Sequence, residues 1–144
     1  CIFKRTKLKN MATIKTVYLG DLRTENEHLQ SGNKVITDAP TDNQGKGEYF
    51  SPTDMLATAL GSCILTIMGI KARDKGIDIK GTEVEVTKIM ASDPRRVAEV
   101  VVEFTFPKNN YSEEEKAYIE SFAGTSPVPL SLHPDLIQTM KFNW

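Results

Sequence analysis

Short runs of β-branched, aromatic and alternating polar residues occupy the first third of the chain, and this period of two predicts strands. The predicted strands cover residues 13–19, 23–30 and 34–37. Glycine, asparagine and serine between these runs are typical of turns. Residues 39–47 contain proline, asparagine and two glycines, which indicates a loop. We therefore expect three short strands before the first helix.

The clearest helical pattern covers residues 52–75. Ser51 is a suitable cap, Pro52 suits the first helical position, and Asp54 lies where a carboxylate favours the amide end of a helix. Gly76 ends the predicted helix after a cluster of basic residues. Apolar residues recur at helical spacing through it: Leu56, Leu60, Cys63, Ile67 and Ile70.

This helix would be apolar on more than one face. The residues that widen its stripe are Met55, Ala59, Ile64 and Met68. Such a helix is usually buried on several sides, which in a chain of this size indicates a partner subunit. Polar residues and a glycine interrupt residues 55–70, so we expect no stretch to reach the roughly 18 to 20 apolar residues of a membrane span.

The second half of the chain returns to alternation. Residues 82–91 and 97–106 predict an antiparallel hairpin, with one face formed by Ala98, Val100, Val102, Phe104 and Phe106. The remaining predicted elements are a helix to about residue 123 that begins with a capping box of Ser112 and Glu115, a helical turn over 130–132, and a strand over 139–144. The order β-β-β-α-β-β-α-β indicates an α+β domain.

Composition limits the partners of this chain. Its 144 residues fit one domain, which we place at residues 11–144. The net charge is -1, and the absence of a basic patch interleaved with aromatic residues argues against nucleic acid. Residues 1–10 are basic and precede Met11, so we interpret them as a cloning remnant or an upstream extension, and we expect them to be disordered.

The cysteines and histidines are few. Cys1 lies in the basic segment, so Cys63 has no intramolecular disulfide framework and a reducing cytoplasm is expected. His28 and His133 do not combine with it at metal-ligand spacing, and we expect neither a metal nor another cofactor. His133 lies in a Leu-His-Pro-Asp turn, where a capping or packing role is the usual one.

Cys63 is the candidate for chemistry, and a plainer role is also open to it. A lone cysteine on the apolar stripe of a helix is usually a small buried hydrophobe. A reactive cysteine must instead be a thiolate. Cys63 lies in the middle of the predicted helix, too far from its amide end to benefit, so any activating charge must come from elsewhere.

Two motifs resemble the family of osmotically inducible protein C and the organic hydroperoxide resistance proteins (OsmC/Ohr). Residues 50–63, FSPTDMLATALGSC, are similar to the family's proline-initiated central helix with its cysteine. Residues 126–128 and 131–136, SPV and SLHPDL, are similar to the family's cysteine-proline-valine segment after the second helix. The order of elements agrees from Met11 onward.

The resemblance implies an OsmC-like fold with a long central helix, in an entwined homodimer whose sites lie at the subunit interface. It also implies reduction of organic hydroperoxides. In that reaction one cysteine attacks the peroxide and becomes a sulfenic acid. A second cysteine then condenses with it to a disulfide, which a dithiol reopens.

The chain departs from the family pattern at two positions. Ser126 stands where the family has its second cysteine, so an internal disulfide cannot form there. Thr53 stands at the usual position of the catalytic carboxylate, and Asp54 points about 100° away around the helix. The family's activating arginine comes from the first hairpin, and Arg23 is the arginine of that region.

Two functions of different classes follow. The first is a peroxidase-like oxidoreductase of oxidative-stress defence, in which Cys63 and Arg23 act on an organic hydroperoxide and an external thiol or dithiol resolves the sulfenic acid. The alternative is a non-catalytic OsmC-like dimer that binds a small apolar ligand or acts as a redox sensor. The losses at Thr53 and Ser126 favour the alternative, whereas the retained Cys63 favours the peroxidase.

Overall fold

The computed structural model describes residues 12–144. The segment predicted to be an extension, residues 1–10, lies outside them. The chain divides into two compact units, Cys1–Pro52 and Thr53–Trp144, and each is described by itself. The assignment of residues 11–144 to a single domain stays a prediction.

The first unit is an antiparallel meander in its described part. Strands β1 (Ile14–Gly20), β2 (Arg23–His28) and β3 (Lys34–Asp38) pair in chain order, and a 3₁₀ turn, Thr41–Asn43, follows. Between residues 12 and 52 the buried side chains are polar: Thr37, Asp38 and Ser51. This sheet therefore has no buried apolar core of its own.

The second unit contains the hydrophobic core. Its elements are α1 (Pro52–Asp74, which begins at the last residue of the first unit), β4 (Glu83–Ala91), β5 (Arg96–Thr105), α2 (Glu113–Glu120), α3 (Pro127–Ser131) and β6 (Ile137–Asn143). Strands β4 and β5 form the predicted antiparallel hairpin, and β6 adds to β5 in parallel. A parallel neighbour needs a crossover, which here carries α2 and α3.

The buried face of α1 differs from the predicted stripe. Its deepest residues, Leu60, Ile64, Met68 and Ala72, recur every four positions, whereas Cys63 lies on a flank and Ile70 is exposed. The helix approaches the sheet closely at Gly61, where an added Cβ would lie 2.8 Å from a methyl carbon of Val86. Which of several apolar stripes is buried depends on where the sheet lies, and helical spacing alone does not specify that.

Among the helices of residues 12–144, one is long and apolar enough to cross a membrane by length and composition. It is α1, whose best 18-residue window has a mean hydropathy of 1.6, with 33% of the window buried. The prediction that no stretch reaches this length is wrong on that measure, because small polar residues lower the mean only slightly. Core helices of soluble proteins meet the same criterion, so this is weak evidence for a span.

A β-bulge shifts the alternation of β5. Ile89 pairs with Glu99, but Met90 pairs with Val97, so Ala98 is the extra residue. Val97 is therefore buried and Ala98 only half-buried, contrary to the predicted face. Beyond the bulge the prediction is confirmed for the buried residues Val100, Val102, Phe104 and Phe106.

The observed boundaries of the last elements differ from the predicted ones by a few residues. Ser112 and Glu115 form the predicted capping box, with both hydrogen bonds at 3.1 Å. Helix α2 ends at Glu120 because the amides of Phe122 and Ala123 bond three residues back, which tightens the chain into turns. The predicted helical turn is α3, which begins earlier, and β6 begins two residues before the predicted strand.

Candidate functional site

Cys63 lies on the flank of α1 that turns away from the core, where it is half-buried. It lines an open groove of about 390 Å³ together with side chains of α1 and the start of α3. The groove is lined by Ala59, Ser62, Cys63, Thr66, Ile67, Ile70, Ser126 and Pro127. The cysteine is thus neither fully buried nor isolated, and an apolar molecule of modest size could reach its sulfur.

The structure brings Cys63 and Ser126 to the same groove. Ser126 is 1% exposed, and its Oγ makes no hydrogen bond within the part of the chain described. A buried hydroxyl without a partner costs about 1–3 kcal/mol. Such a group in a groove beside a cysteine is a candidate contact for a bound molecule.

A proline removes one of the two amides that could cap with the Ser126 hydroxyl. Ser126 occupies the cap position of α3, where a side-chain oxygen normally accepts from the amide two or three residues on. Pro127 and Pro129 have no N–H, so the third amide cannot donate. The amide of Val128 is left as a possible donor, and the cap bond is not made.

Another hydroxyl in the groove is already satisfied. Thr66 donates from Oγ1 to the backbone oxygen of Ser62 at 2.8 Å, one turn earlier in α1. Its polarity is therefore directed into the helix rather than to a ligand. Ser126 differs from Thr66 in this respect, although both line the same groove.

Thr53 and Asp54 share a lysine that no sequence motif indicates. Lys88 of β4 donates from Nζ to Thr53 Oγ1 and to Asp54 Oδ1, each at 2.8 Å. Asp54 is 43% exposed and Lys88 19% exposed. The carboxylate next to the substituted position therefore serves an ion pair between the start of α1 and the sheet, and no short-range motif marks Lys88 as its partner.

Arg23 lies in the first unit, where two carboxylates hold it. Its Nε and Nη2 donate to the two oxygens of Asp38 at 2.7 and 2.8 Å, and Nη2 also donates to Glu48 at 3.1 Å. The guanidinium lies 4.7 Å from the centre of the Tyr49 ring. Asp38 and Glu48 raise the pKa of Arg23, and Arg23 lowers the pKa of Asp38 below its usual range. The catalytic role of Arg23 stays a prediction.

The histidine and metal predictions can be placed on the structure. His133 is 74% exposed and its Nδ1 accepts from the amide of Asp135 at 3.1 Å, which is the geometry of a capping residue. Within residues 12–144, no group of three or more histidine, cysteine or acidic side chains is arranged to hold a metal ion.

The fold recurs in solved structures. One from Psychrobacter arcticus 273-4, described as an osmotic stress induced and detoxification response protein, is 56% identical, with a TM-score of 0.88 over 92% of this chain and 96% of that one. An OsmC-like protein from Mycoplasma pneumoniae is 20% identical (TM-score 0.75; 92% and 96% covered). An organic hydroperoxide resistance protein OsmC from Legionella pneumophila is 13% identical (TM-score 0.70; 93% and 100% covered).

The α+β fold with its central helix is that of OsmC-like structures. Residues 45–139 match the OsmC-like protein family, and the chain belongs to that family. No curated protein matches the chain. The matched residues include Thr53, Cys63 and Ser126 but begin after Arg23, so the family match lends Arg23 no support.

Proposed function

We propose that this protein is a thiol-dependent peroxidase that reduces organic hydroperoxides at Cys63. The observation that carries the proposal is the half-buried Cys63 in a largely apolar groove of about 390 Å³. Membership of the OsmC-like family supports it, and the Legionella relative is named for organic hydroperoxide resistance. An apolar lining favours an alkyl or aryl hydroperoxide over hydrogen peroxide, because burial of the organic group stabilises the complex.

The proposed cycle uses one protein cysteine. The Cys63 thiolate attacks the terminal oxygen of the hydroperoxide, the O–O bond breaks, and the alkoxide leaves and takes a proton from water. Cys63 is then a sulfenic acid. Ser126 cannot resolve it, so an external thiol displaces water to give a mixed disulfide, and a second thiol releases Cys63 and forms the oxidised reductant. We place this reaction in the cytoplasm, where small thiols are kept reduced.

Arg23 is the proposed source of positive charge for the thiolate. Its contacts with Asp38 and Glu48 fix the guanidinium in place and also offset its charge. The proposal rests on the family resemblance, which implies an activating arginine from the first hairpin.

We also propose a homodimer. The described part of the first unit buries no apolar side chain, and a three-stranded sheet of that kind needs an apolar surface to cover it. Large apolar residues exposed on its strands are Ile14, Val17, Tyr18, Leu19 and Val35. On α1, Ile70 is 41% exposed beside the Cys63 groove. A monomer by sedimentation at micromolar concentration would contradict the proposal.

The test of the peroxidase is consumption of tert-butyl hydroperoxide by purified protein, with a monothiol or a dithiol as reductant. The matched control variant is Cys63→Ser, because it removes the thiol, whereas Ser62→Cys would add one. We expect turnover that Cys63→Ser abolishes and that a monothiol alone supports. Equal consumption by the two proteins would show that Cys63 does not carry the reaction.

The second candidate function is a non-catalytic dimer that binds a small apolar ligand. The apolar groove and the replacements at Thr53 and Ser126 favour it. No peroxide consumption together with a Cys63 that stays a free thiol would support this candidate. Oxidation of Cys63 without turnover would instead support a redox sensor.

A further inference from the structure

The Ser126 hydroxyl is a buried polar group of the groove that the proposed cycle does not use. It is buried, lines the groove that Cys63 lines, and has no hydrogen-bond partner within residues 12–144. The hydroxyl lacks a hydrogen-bond acceptor. Oxidation of Cys63 would bring an oxygen atom into this groove that can serve as one. A hydroxyl can donate to such an oxygen by rotating about one bond.

We propose that Ser126 donates a hydrogen bond to the oxygen that is transferred from the hydroperoxide to Cys63. This inference rests on the proposed peroxidase function. During transfer, the O–O bond breaks as the S–O bond forms, and negative charge spreads over both oxygens. A donor already held in the groove lowers the barrier more than it stabilises the reduced site, where no such oxygen is present.

The local sequence keeps this donor available. Pro129 provides no amide at the position that would usually cap against Ser126, and Pro127 provides none either. The hydroxyl accepts no bond from the backbone of α3 and donates none elsewhere within residues 12–144. A serine that replaces a resolving cysteine would on this account have lost the disulfide and kept a polar contact with the reacting oxygen.

The test compares two reactions of the same sulfur. One is oxidation of Cys63 by tert-butyl hydroperoxide, which transfers oxygen, and the other is alkylation by iodoacetamide, which does not. The variants are Ser126→Ala and, as a control outside the groove, Thr58→Val, which removes a hydroxyl of α1 that already bonds to the backbone oxygen of Asp54. Both rates are followed by mass spectrometry of the intact protein, with the melting temperature of each reduced variant.

We expect Ser126→Ala to oxidise about tenfold more slowly, the factor for one lost hydrogen bond to a charged oxygen. Its alkylation rate should not change, and its melting temperature should stay level or rise, since a buried unpaired hydroxyl is removed. Thr58→Val should leave both rates unchanged. A structural role for Ser126 would not separate oxidation from alkylation in this way.

Four results would overturn the inference. Oxidation of Ser126→Ala at the wild-type rate would show that the hydroxyl takes no part, and a parallel fall in alkylation would show that it acts on access or on the thiolate. A clearly lower melting temperature of reduced Ser126→Ala would reveal a structural partner. Wild-type protein that alkylates but does not oxidise would overturn the peroxidase itself, and this inference with it.

Discussion

Arg23 and Asp38 form a bidentate ion pair across neighbouring strands, with N–O distances of 2.7 and 2.8 Å. Asp38 is 1% exposed, and its carboxylate also accepts from the amide of Glu48. A buried carboxylate with this many donors is held in its charged form. Arg23, the residue predicted to activate Cys63, therefore also affects how the stability of the first unit depends on acidic pH.

The first prediction concerns that acid stability. The pKa of Asp38 is lower in the folded protein than its ordinary 3.8, chiefly because of the hydrogen bond from Arg23. Its contribution to stability is thus fully present above 3.8 and is lost as the pH falls below 3.8 towards the folded-state pKa. We expect Asp38→Asn to be less stable at neutral pH and to lose less stability on acidification.

The measurement is the melting temperature as a function of pH for wild type, Asp38→Asn and Arg23→Gln. Both variants remove the ion pair that lowers the pKa of Asp38. In both, the melting temperature should therefore fall less steeply than in the wild type as the pH decreases. If the melting temperature of Asp38→Asn fell as steeply on acidification as that of the wild type, another carboxylate would account for the acid sensitivity of the protein.

The second prediction compares two glycines of α1. An alanine at Gly61 would place its Cβ 2.8 Å from a methyl carbon of Val86 and 3.5 Å from one of Val84, whereas nothing lies within 4 Å of a Cβ at Gly69. Overpacking typically costs about 1–3 kcal/mol. Glycine to alanine in a helix otherwise gains up to about 1 kcal/mol.

We therefore expect Gly61→Ala to lower the free energy of unfolding and Gly69→Ala to raise it, as measured by urea denaturation. Each variant is the control for the other because the substitution and the helix are the same. Equal effects of the two substitutions would mean that α1 does not approach β4 as closely as described.

The third prediction separates the carboxylate of Asp54 from catalysis. Its ion pair with Lys88 is partly exposed, and pairs of that kind contribute about 0–1 kcal/mol. Asp54→Asn should therefore cost at most about 1 kcal/mol in urea denaturation and should leave the rate of peroxide reduction unchanged. A large fall in that rate with little loss of stability would instead make Asp54 the functional replacement for the carboxylate lost at Thr53.

Local sequence patterns predicted much of the fold, but they did not predict features that depend on residues far apart in the chain. The alternation of β5 marked Val100 and Val102 as buried because each strand residue faces one side of the sheet. The bulge at Ala98 could not be read from the same alternation, since it depends on pairing with β4. The pairing of β6 with β5 is likewise non-local, and no motif in either strand announced it.

In the candidate site, likewise, locally encoded features were predicted and long-range contacts were not. Cys63 stood out from a local helical motif, and the structure places it in a groove. The Lys88 contact with Asp54 joins residues 34 positions apart and left no local signal. The unpaired Ser126 hydroxyl had only a partial signal, because Pro129 can be read from the chain as a residue that cannot cap it, whereas the missing bond from Val128 is visible only in the structure.

The last prediction is that Ser126→Cys creates a disulfide with Cys63. Both positions line one groove, and the family resemblance puts a cysteine at each of them. After one equivalent of hydroperoxide, the sulfenic acid at Cys63 should be captured by the new thiol faster than any external thiol can reach it, because the two sulfurs share a site. The variant should then depend on a dithiol, whereas the wild type accepts a monothiol.

The readout is the intact mass, which falls by two hydrogens on disulfide formation and rises by one oxygen on sulfenic acid formation. Cys63→Ser in the Ser126→Cys background is the control and should show no loss of hydrogen. A variant that gains oxygen without forming the disulfide would place the two side chains too far apart for the Cα separation of about 4.4–6.8 Å that a disulfide needs. In that case Ser126 would be too remote to contact the transferred oxygen as well, so this variant bears on both proposals.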